Sequence, residues 1–111
     1  MKVTLATEVF PPRSGGAGWS TRALALALAD AGHDVTVVTT AEGPATEGKV
    51  PVIRLRGVSG PLRRGRMVEI FRKALAEAAA DADVIHAQHS LSALGALALE
   101  PRPRVAVTVR D

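Results

Sequence analysis

A cluster of glycines between two apolar runs is the feature that most constrains how this chain can fold. A β-branched run at residues 2–7 precedes the cluster, and an Ala- and Leu-rich run at residues 19–31 follows it. Glycine tolerates positive φ and leaves its backbone bare, so the cluster allows a tight reversal from strand to helix. The N–H groups at the start of that helix suit phosphate or another anion. The candidate ligand-binding residues of this loop are Arg13, Ser14, Gly15 and Gly16.

The rest of the chain alternates β-branched and helical runs. Strands are predicted at residues 35–40, 50–56, 84–86 and 105–109, and helices at residues 67–80 and 90–99. Continuous apolar runs are typical of parallel strands that are buried on both faces. Right-handed crossovers then give an α/β fold, a Rossmann-like doubly wound parallel sheet of about five strands in the order 3-2-1-4-5, with helices on both faces.

In such a sheet, ligands bind beyond the carboxyl ends of the strands, at the switch point between strands one and four. The glycine-rich loop, residues 86–90 and Arg110 are predicted to converge there. His86 and His89 are candidates for hydrogen bonds to a substrate, although a capping or core role is the alternative. The pair lacks a third metal ligand, so no metal site is predicted. Arg110 suits a phosphate or carboxylate, or else is a solvated chain end.

The net charge of +3 is unevenly distributed, because much of the positive charge falls between Arg54 and Lys73. This basic span is either a solvated face or a surface that attracts anionic lipid or an acidic acceptor. The helix that carries part of it also has an apolar face, which fits a helix at a membrane interface. Nucleic acid is a poor partner, since aromatic residues make up only 3% of the chain and bases need aromatic platforms. The basic candidates are Arg63, Arg64, Arg66, Arg72 and Lys73.

The composition of the chain excludes several classes of protein and site. The 111 residues are 47% hydrophobic and include no cysteine, so disulfide scaffolds and thiolate metal sites are excluded. No apolar run is long enough to span a membrane, and the start of the chain lacks the features of a signal peptide. We therefore expect a cytoplasmic protein, peripheral at the inner face of the membrane if the basic span docks there.

Two common nucleotide-binding motifs are missing. A dehydrogenase fingerprint needs Gly-x-Gly-x-x-Gly directly after the first strand and an acidic residue at the end of the second. Here Pro11 and Pro12 intervene, and the second strand ends in Thr39 and Thr40. No Gly-Lys-Ser/Thr follows the glycines, so a phosphate-binding P-loop is also excluded. A nucleotide-dependent oxidoreductase or epimerase is therefore disfavoured.

Four segments of the chain stand in a characteristic order: Phe10-Pro11-Pro12-Arg13-Ser14-Gly15-Gly16, Ala31-Gly32-His33-Asp34-Val35-Thr36-Val37, Asp83-Val84-Ile85-His86-Ala87-Gln88-His89 and Val105-Ala106-Val107-Thr108-Val109-Arg110-Asp111. Together they resemble the N-terminal half-domain of GT-B glycosyltransferases of family 4, and the likeness covers nearly the whole chain. It implies a retaining, metal-independent transfer of a hexosyl group from a nucleotide-sugar donor to a sugar or lipid-linked acceptor. No cofactor is implied, because the nucleotide sugar is a substrate.

The resemblance also implies that two domains of the enzyme bind different substrates. The N-terminal domain binds the acceptor, and Gly15 and Gly16 approach the donor phosphates. A C-terminal domain, absent from these residues, holds the nucleotide sugar. Arg110 stands where many relatives have a histidine near the reacting sugar, so no catalytic residue is assigned.

Residues 1–111 are accordingly expected to be the acceptor-side part of a larger enzyme, partnered by its donor-binding domain, and to be inactive alone. The alternative is a non-catalytic Rossmann-like module that binds an anionic ligand or a membrane surface. A last strand without a neighbour leaves an exposed sheet edge, which would favour self-association.

Overall fold

The computed structural model describes residues 1–12 and 16–108, which form one sheet with helices on both faces. The elements are β1 (Lys2–Thr7), α1 (Gly16–Asp30), β2 (Asp34–Thr39), β3 (Thr46–Glu47), β4 (Val50–Arg54), α2 (Arg63–Ala78), β5 (Val84–Ala87), α3 (Ser90–Leu97) and β6 (Val105–Val107).

The sheet has the strand order β3-β4-β2-β1-β5-β6. Every described pair is parallel except β3 with β4. With β3 set aside, the order is the predicted 3-2-1-4-5, so the doubly wound, Rossmann-like fold is confirmed. The extra strand was not predicted, because its two residues lie in a polar loop without a β-branched run. It forms as the first arm of a short hairpin in which Gly48 has a φ of 57°.

Successive side chains of the central strands point to opposite faces, and this builds two cores. Val3 and Leu5 of β1 pack on the face that α1 covers, where Ala25 is fully buried. Ala6 of β1 packs on the other face, where Phe71 of α2 is fully buried. Burial on both faces is the reason that β1 and β2 read as nearly continuous apolar runs.

Two helices begin earlier than predicted. α1 begins at Gly16 rather than at residue 19, and the Thr21 hydroxyl donates to the carbonyl of Ala17 at 2.9 Å. α2 begins at Arg63 rather than at residue 67, because arginine is a good helix former. Arg63, Arg64 and Arg66 therefore lie on a helix and not in the preceding loop. Residue 109, the predicted end of the last strand, lies outside the described residues.

Candidate functional site

Residues 8–12, here called the proline segment, lead from β1 toward the glycine-rich loop at the carboxyl edge of the sheet. The segment turns at once, since the hydroxyl of Thr7 donates to the carbonyl of Val9 at 2.7 Å. Phe10 is fully buried in the core beneath α1. The side chain of Phe10 therefore anchors the proline segment in the hydrophobic core.

The ends of β1 and β5 meet at this edge, as the topology predicted. Thr7 Oγ1 lies 3.2 Å from Nδ1 of His89, and both side chains are buried. The backbone N–H of Gln88 donates to the carbonyl of Ala6 at 2.9 Å, which continues the pairing past the last strand residue. His89 is thus an interior residue that joins two strand ends, which matches the alternative interpretation of this histidine.

Glu8 occupies the N-terminus of α3. Its carboxylate accepts hydrogen bonds from the backbone N–H groups of Leu91, at 3.3 Å, and Ser92, at 2.9 Å. Its own carbonyl accepts a hydrogen bond from the hydroxyl of Thr40 at 3.3 Å. The partly positive helix end is therefore already matched by a negative charge of the protein itself.

Sequence reasoning missed this cap. Serine is a common capping residue, but the hydroxyl of Ser92 donates to the carbonyl of His89 at 3.0 Å. Glu8 precedes Ser92 by 84 positions, so no local pattern could have joined them.

His86 ties β5 to the end of β6. Its Nε2 lies 2.8 Å from Oγ1 of Thr108, and the ring is half-buried. Within residues 1–12 and 16–108, no group of three or more His, Asp or Glu side chains is placed to hold a metal ion. The roles of His86 and His89 toward a substrate stay predictions.

The glycine-rich loop is described only at its end. Gly16 is the exposed first residue of α1, and a Cβ built on it would meet no atom within 4 Å. Arg13, Ser14, Gly15 and Arg110 lie outside the described residues. The part of the edge that is described brings together the ends of β1, β5 and β6, while Gly16 begins the helix after the loop.

The basic candidates separate into two kinds. Arg63, Arg64 and Arg66 are exposed in the first turns of α2, whose N-terminus has no side-chain cap. Arg72 donates from Nε to Oε2 of Glu69 at 2.8 Å. That hydrogen bond raises the pKa of Arg72 and lowers the pKa of Glu69. Arg72 is therefore already paired, whereas the three preceding arginines are available to solvent.

A groove of about 540 Å³ lies between α2 and the end of β4. None of the edge residues described above lines it. Across the described part of the chain, no helix has the length and apolar character that a membrane crossing needs. The groove is lined by Ile53, Leu55, Ile70, Lys73, Ala74, Glu77 and Ala78.

The family model of Glycosyltransferase Family 4 matches residues 14–110. Among solved structures, sucrose-phosphate synthase from Thermosynechococcus elongatus aligns with a TM-score of 0.68 and 24% identity. UDP-GlcNAc 2-epimerase from Methanocaldococcus jannaschii aligns with a TM-score of 0.54 and 18% identity. Each alignment covers 96% of this chain and 31% of the other chain, so this chain spans less than a third of either neighbour. At these identities the likeness shows the fold alone. No curated protein matches significantly.

Proposed function

Since the chain belongs to glycosyltransferase family 4, we propose that it is the acceptor-side half of a retaining glycosyltransferase that transfers a hexosyl group from a nucleotide-sugar donor. The family match over residues 14–110 carries this proposal. The GT-B type of Rossmann fold, shared with two larger proteins, supports it. Transfer needs no metal in this proposal, and the acceptor is a sugar or a lipid-linked sugar.

The donor phosphates lie at the N-terminus of α1. A helix N-terminus attracts anions through its unpaired N–H groups and its dipole. Of the two helices that follow β1 and β5 at the switch point, α3 already has the Glu8 carboxylate at its start, which leaves the start of α1 as the better phosphate site. Gly16, with open space around its Cα, lets a phosphate approach the backbone. Arg13, Ser14 and Gly15 precede Gly16 in the sequence. In this proposal they contribute to substrate binding together with His86, His89 and Arg110.

A second domain supplies the other wall of the cleft. Transfer requires donor and acceptor to be held together in a closed site from which water is largely excluded. One wall cannot provide that enclosure, so residues 1–111 alone have no transferase activity in this proposal. The partner is a donor-binding domain of the same enzyme, which acts in the cytoplasm.

Gly16→Val in the full-length enzyme tests this assignment. The added side chain would meet no protein atom within 4 Å, so the fold survives, but it occupies the space in which the phosphates approach. We expect the donor kcat/KM to fall about 100-fold, measured across a panel of nucleotide sugars.

Gly65→Val is the matched control, because Gly65 is also an exposed residue in the first turn of a helix with open space around it. Equal turnover in the Gly16 variant and the wild type would remove Gly16 from the donor site. A wild-type enzyme that transfers no sugar from any donor would overturn the proposal as a whole.

A peripheral contact with an anionic membrane is a second proposal, and the first turns of α2 favour it. Positive charge at a helix N-terminus is unfavourable to the helix, yet Arg63, Arg64 and Arg66 all lie there and are exposed. Leu62, just before the helix, has 75% of its surface exposed. An anionic membrane surface offsets the repulsion, because each basic residue near the bilayer contributes about 1 kcal/mol of attraction. The apolar part of the membrane would also bury the Leu62 side chain. Lys73 and the paired Arg72 lie farther along the same helix.

Changing Arg63, Arg64 and Arg66 together to Glu is expected to abolish binding to vesicles of phosphatidylglycerol, measured by co-sedimentation. A charge-matched control changes Lys49, Arg102 and Arg104 to Glu, since all three are exposed and lie outside α2. Equal losses of vesicle binding in the two variants would show that net charge alone causes the effect, which would contradict a specific contact through α2. Binding to neutral vesicles that does not respond to salt would contradict the proposal.

A further inference from the structure

Arg54, the last residue of β4, donates hydrogen bonds from its guanidinium group to backbone carbonyls. Nε donates to Pro44 at 2.8 Å, and Nη1 donates to Ala41 at 3.1 Å and to Glu42 at 3.2 Å. Nη2 donates to the carbonyl of Pro11 at 3.0 Å. Four of the five N–H donors of the group are therefore engaged. The arginine joins the loop at residues 41–44 to the proline segment.

The same guanidinium lies over an aromatic ring. Its Cζ is 5.4 Å from the ring centroid of Phe10, the fully buried member of the proline segment. Burial lowers the pKa of Arg54 from its usual value, but arginine stays charged in proteins. The proline segment thus receives both a hydrogen bond and a cation–π contact from one side chain.

Gly43 shows how closely this contact is packed. A Cβ at that position would lie 2.7 Å from Nη2 of Arg54 and 2.8 Å from Cδ of Pro12. The loop at residues 41–44, the guanidinium and the proline segment therefore leave no room for even a methyl group.

A second contact holds the other end of the proline segment. Glu8 is bound through its carboxylate to α3 and through its carbonyl to Thr40. Residues 8–11 are thus fastened at Glu8 on the β5 side and at Pro11 on the β4 side. The glycine-rich loop begins immediately after this fastened segment.

We propose that Arg54 is a positioning residue for sugar transfer: it holds the proline segment, and through it the start of α1 at Gly16, in the position that receives the donor phosphates. This inference rests on the proposed function. Arg54 acts through the backbone and not by binding the nucleotide sugar, because four of its five N–H groups already donate to carbonyl oxygens. In the sequence it belongs to the basic span, for which a solvated or membrane-facing role was expected, and the structure assigns it this different one.

The first test measures the proline segment directly by hydrogen exchange in the full-length enzyme. Arg54→Ala should accelerate exchange of the amides at residues 8–10, whereas Arg56→Ala, the exposed arginine two positions on, should not. Equal exchange in the two variants would overturn the inference. This readout needs no activity, so it decides whether Arg54 holds the segment even if the proposed function fails.

The second test measures transfer. Arg54→Ala is expected to lower the donor kcat/KM about 10- to 100-fold, with a raised donor KM and an unchanged acceptor KM. Guanidinium ion at a non-denaturing concentration should restore part of the loss. Gly43→Ala should reproduce the raised donor KM without rescue, since there the guanidinium is present but displaced.

A merely structural role would instead lower kcat in proportion to the folded fraction and leave the donor KM unchanged, and that result would overturn the inference. Arg54→Lys serves as the second variant if Arg54→Ala folds poorly, because lysine keeps the charge but lacks the planar fork. A donor KM equal to that of the wild type in a folded Arg54→Lys enzyme would also overturn it.

Discussion

Glu8 caps the N-terminus of α3 although the two are far apart in the sequence. Most helices are capped by a residue just before them, whereas α3 is capped by a carboxylate from the end of β1. The contact ties the switch point of the sheet together, because it joins the segment after β1 to the helix after β5. The same carboxylate prevents the start of α3 from serving as an anion site.

Glu8→Ala is expected to destabilise the domain by about 0.5–2 kcal/mol, because two N–H groups in the first turn of α3 lose their acceptor. Glu8→Gln keeps one acceptor oxygen and loses the charge, so it should cost less. Urea denaturation of the purified protein measures both. Glu100→Ala is the control, since Glu100 is exposed. A Glu8→Ala midpoint that matches the control would exclude the cap as a source of stability.

At the scale of elements, the contact between α2 and α3 depends on one small residue. A Cβ at Gly95 of α3 would lie 2.7 Å from Cβ of Phe71 and 3.0 Å from the backbone N of Arg72. It would also lie 3.0 Å from the carbonyl oxygen of Val68. Two of these atoms belong to backbone that cannot turn aside, so the helices approach as closely as they do only because residue 95 has no side chain.

Gly95→Ala should therefore destabilise the domain by about 1–3 kcal/mol through overpacking, although alanine is the better helix former. Gly65→Ala in α2 is the opposite case, since a Cβ there meets nothing within 4 Å. It should stabilise the domain by about 0.5–1 kcal/mol. Thermal unfolding of the two variants should shift in opposite directions, and a stabilised Gly95 variant would contradict the packing argument.

At the scale of the whole molecule, the two edges of the sheet differ. The β3 edge is a short hairpin arm of two residues. β6 pairs with β5 alone in the part of the chain that is described, and Val107 has 44% of its surface exposed. An open parallel edge with exposed apolar side chains is a template for pairing between copies.

The isolated 111-residue chain should accordingly self-associate as its concentration rises, as measured by sedimentation velocity. Val107→Lys should shift the equilibrium toward monomer, because a charged edge resists pairing. Ile53→Lys changes an exposed apolar residue of β4 and should have no such effect. A chain that stays monomeric at every concentration would remove the β6 edge as an association surface.

The strand order was predictable from the sequence, because parallel strands with helical crossovers permit few arrangements. β-branched runs marked five strands, and the glycine cluster marked the first strand-to-helix junction. The hairpin arm at Thr46–Glu47 was not predictable, since it is stabilised by pairing with β4 and not by its own composition. The early starts of α1 and α2 were missed for a different reason, because the glycines in their first turns, Gly16, Gly18 and Gly65, are typical of loops.

The sequence by itself determined the alternation of elements, the two-faced burial of the central strands and the meeting of their ends, because these properties come from side-chain periodicity and chain handedness. Only the tertiary structure decided that Glu8 caps a helix far along the chain, that the Arg54 guanidinium donates to the carbonyl of Pro11, and that Gly95 lets two helices touch. Each of these contacts joins residues distant in sequence, and its geometry exists only once the sheet has brought them within reach of a hydrogen bond or a van der Waals contact.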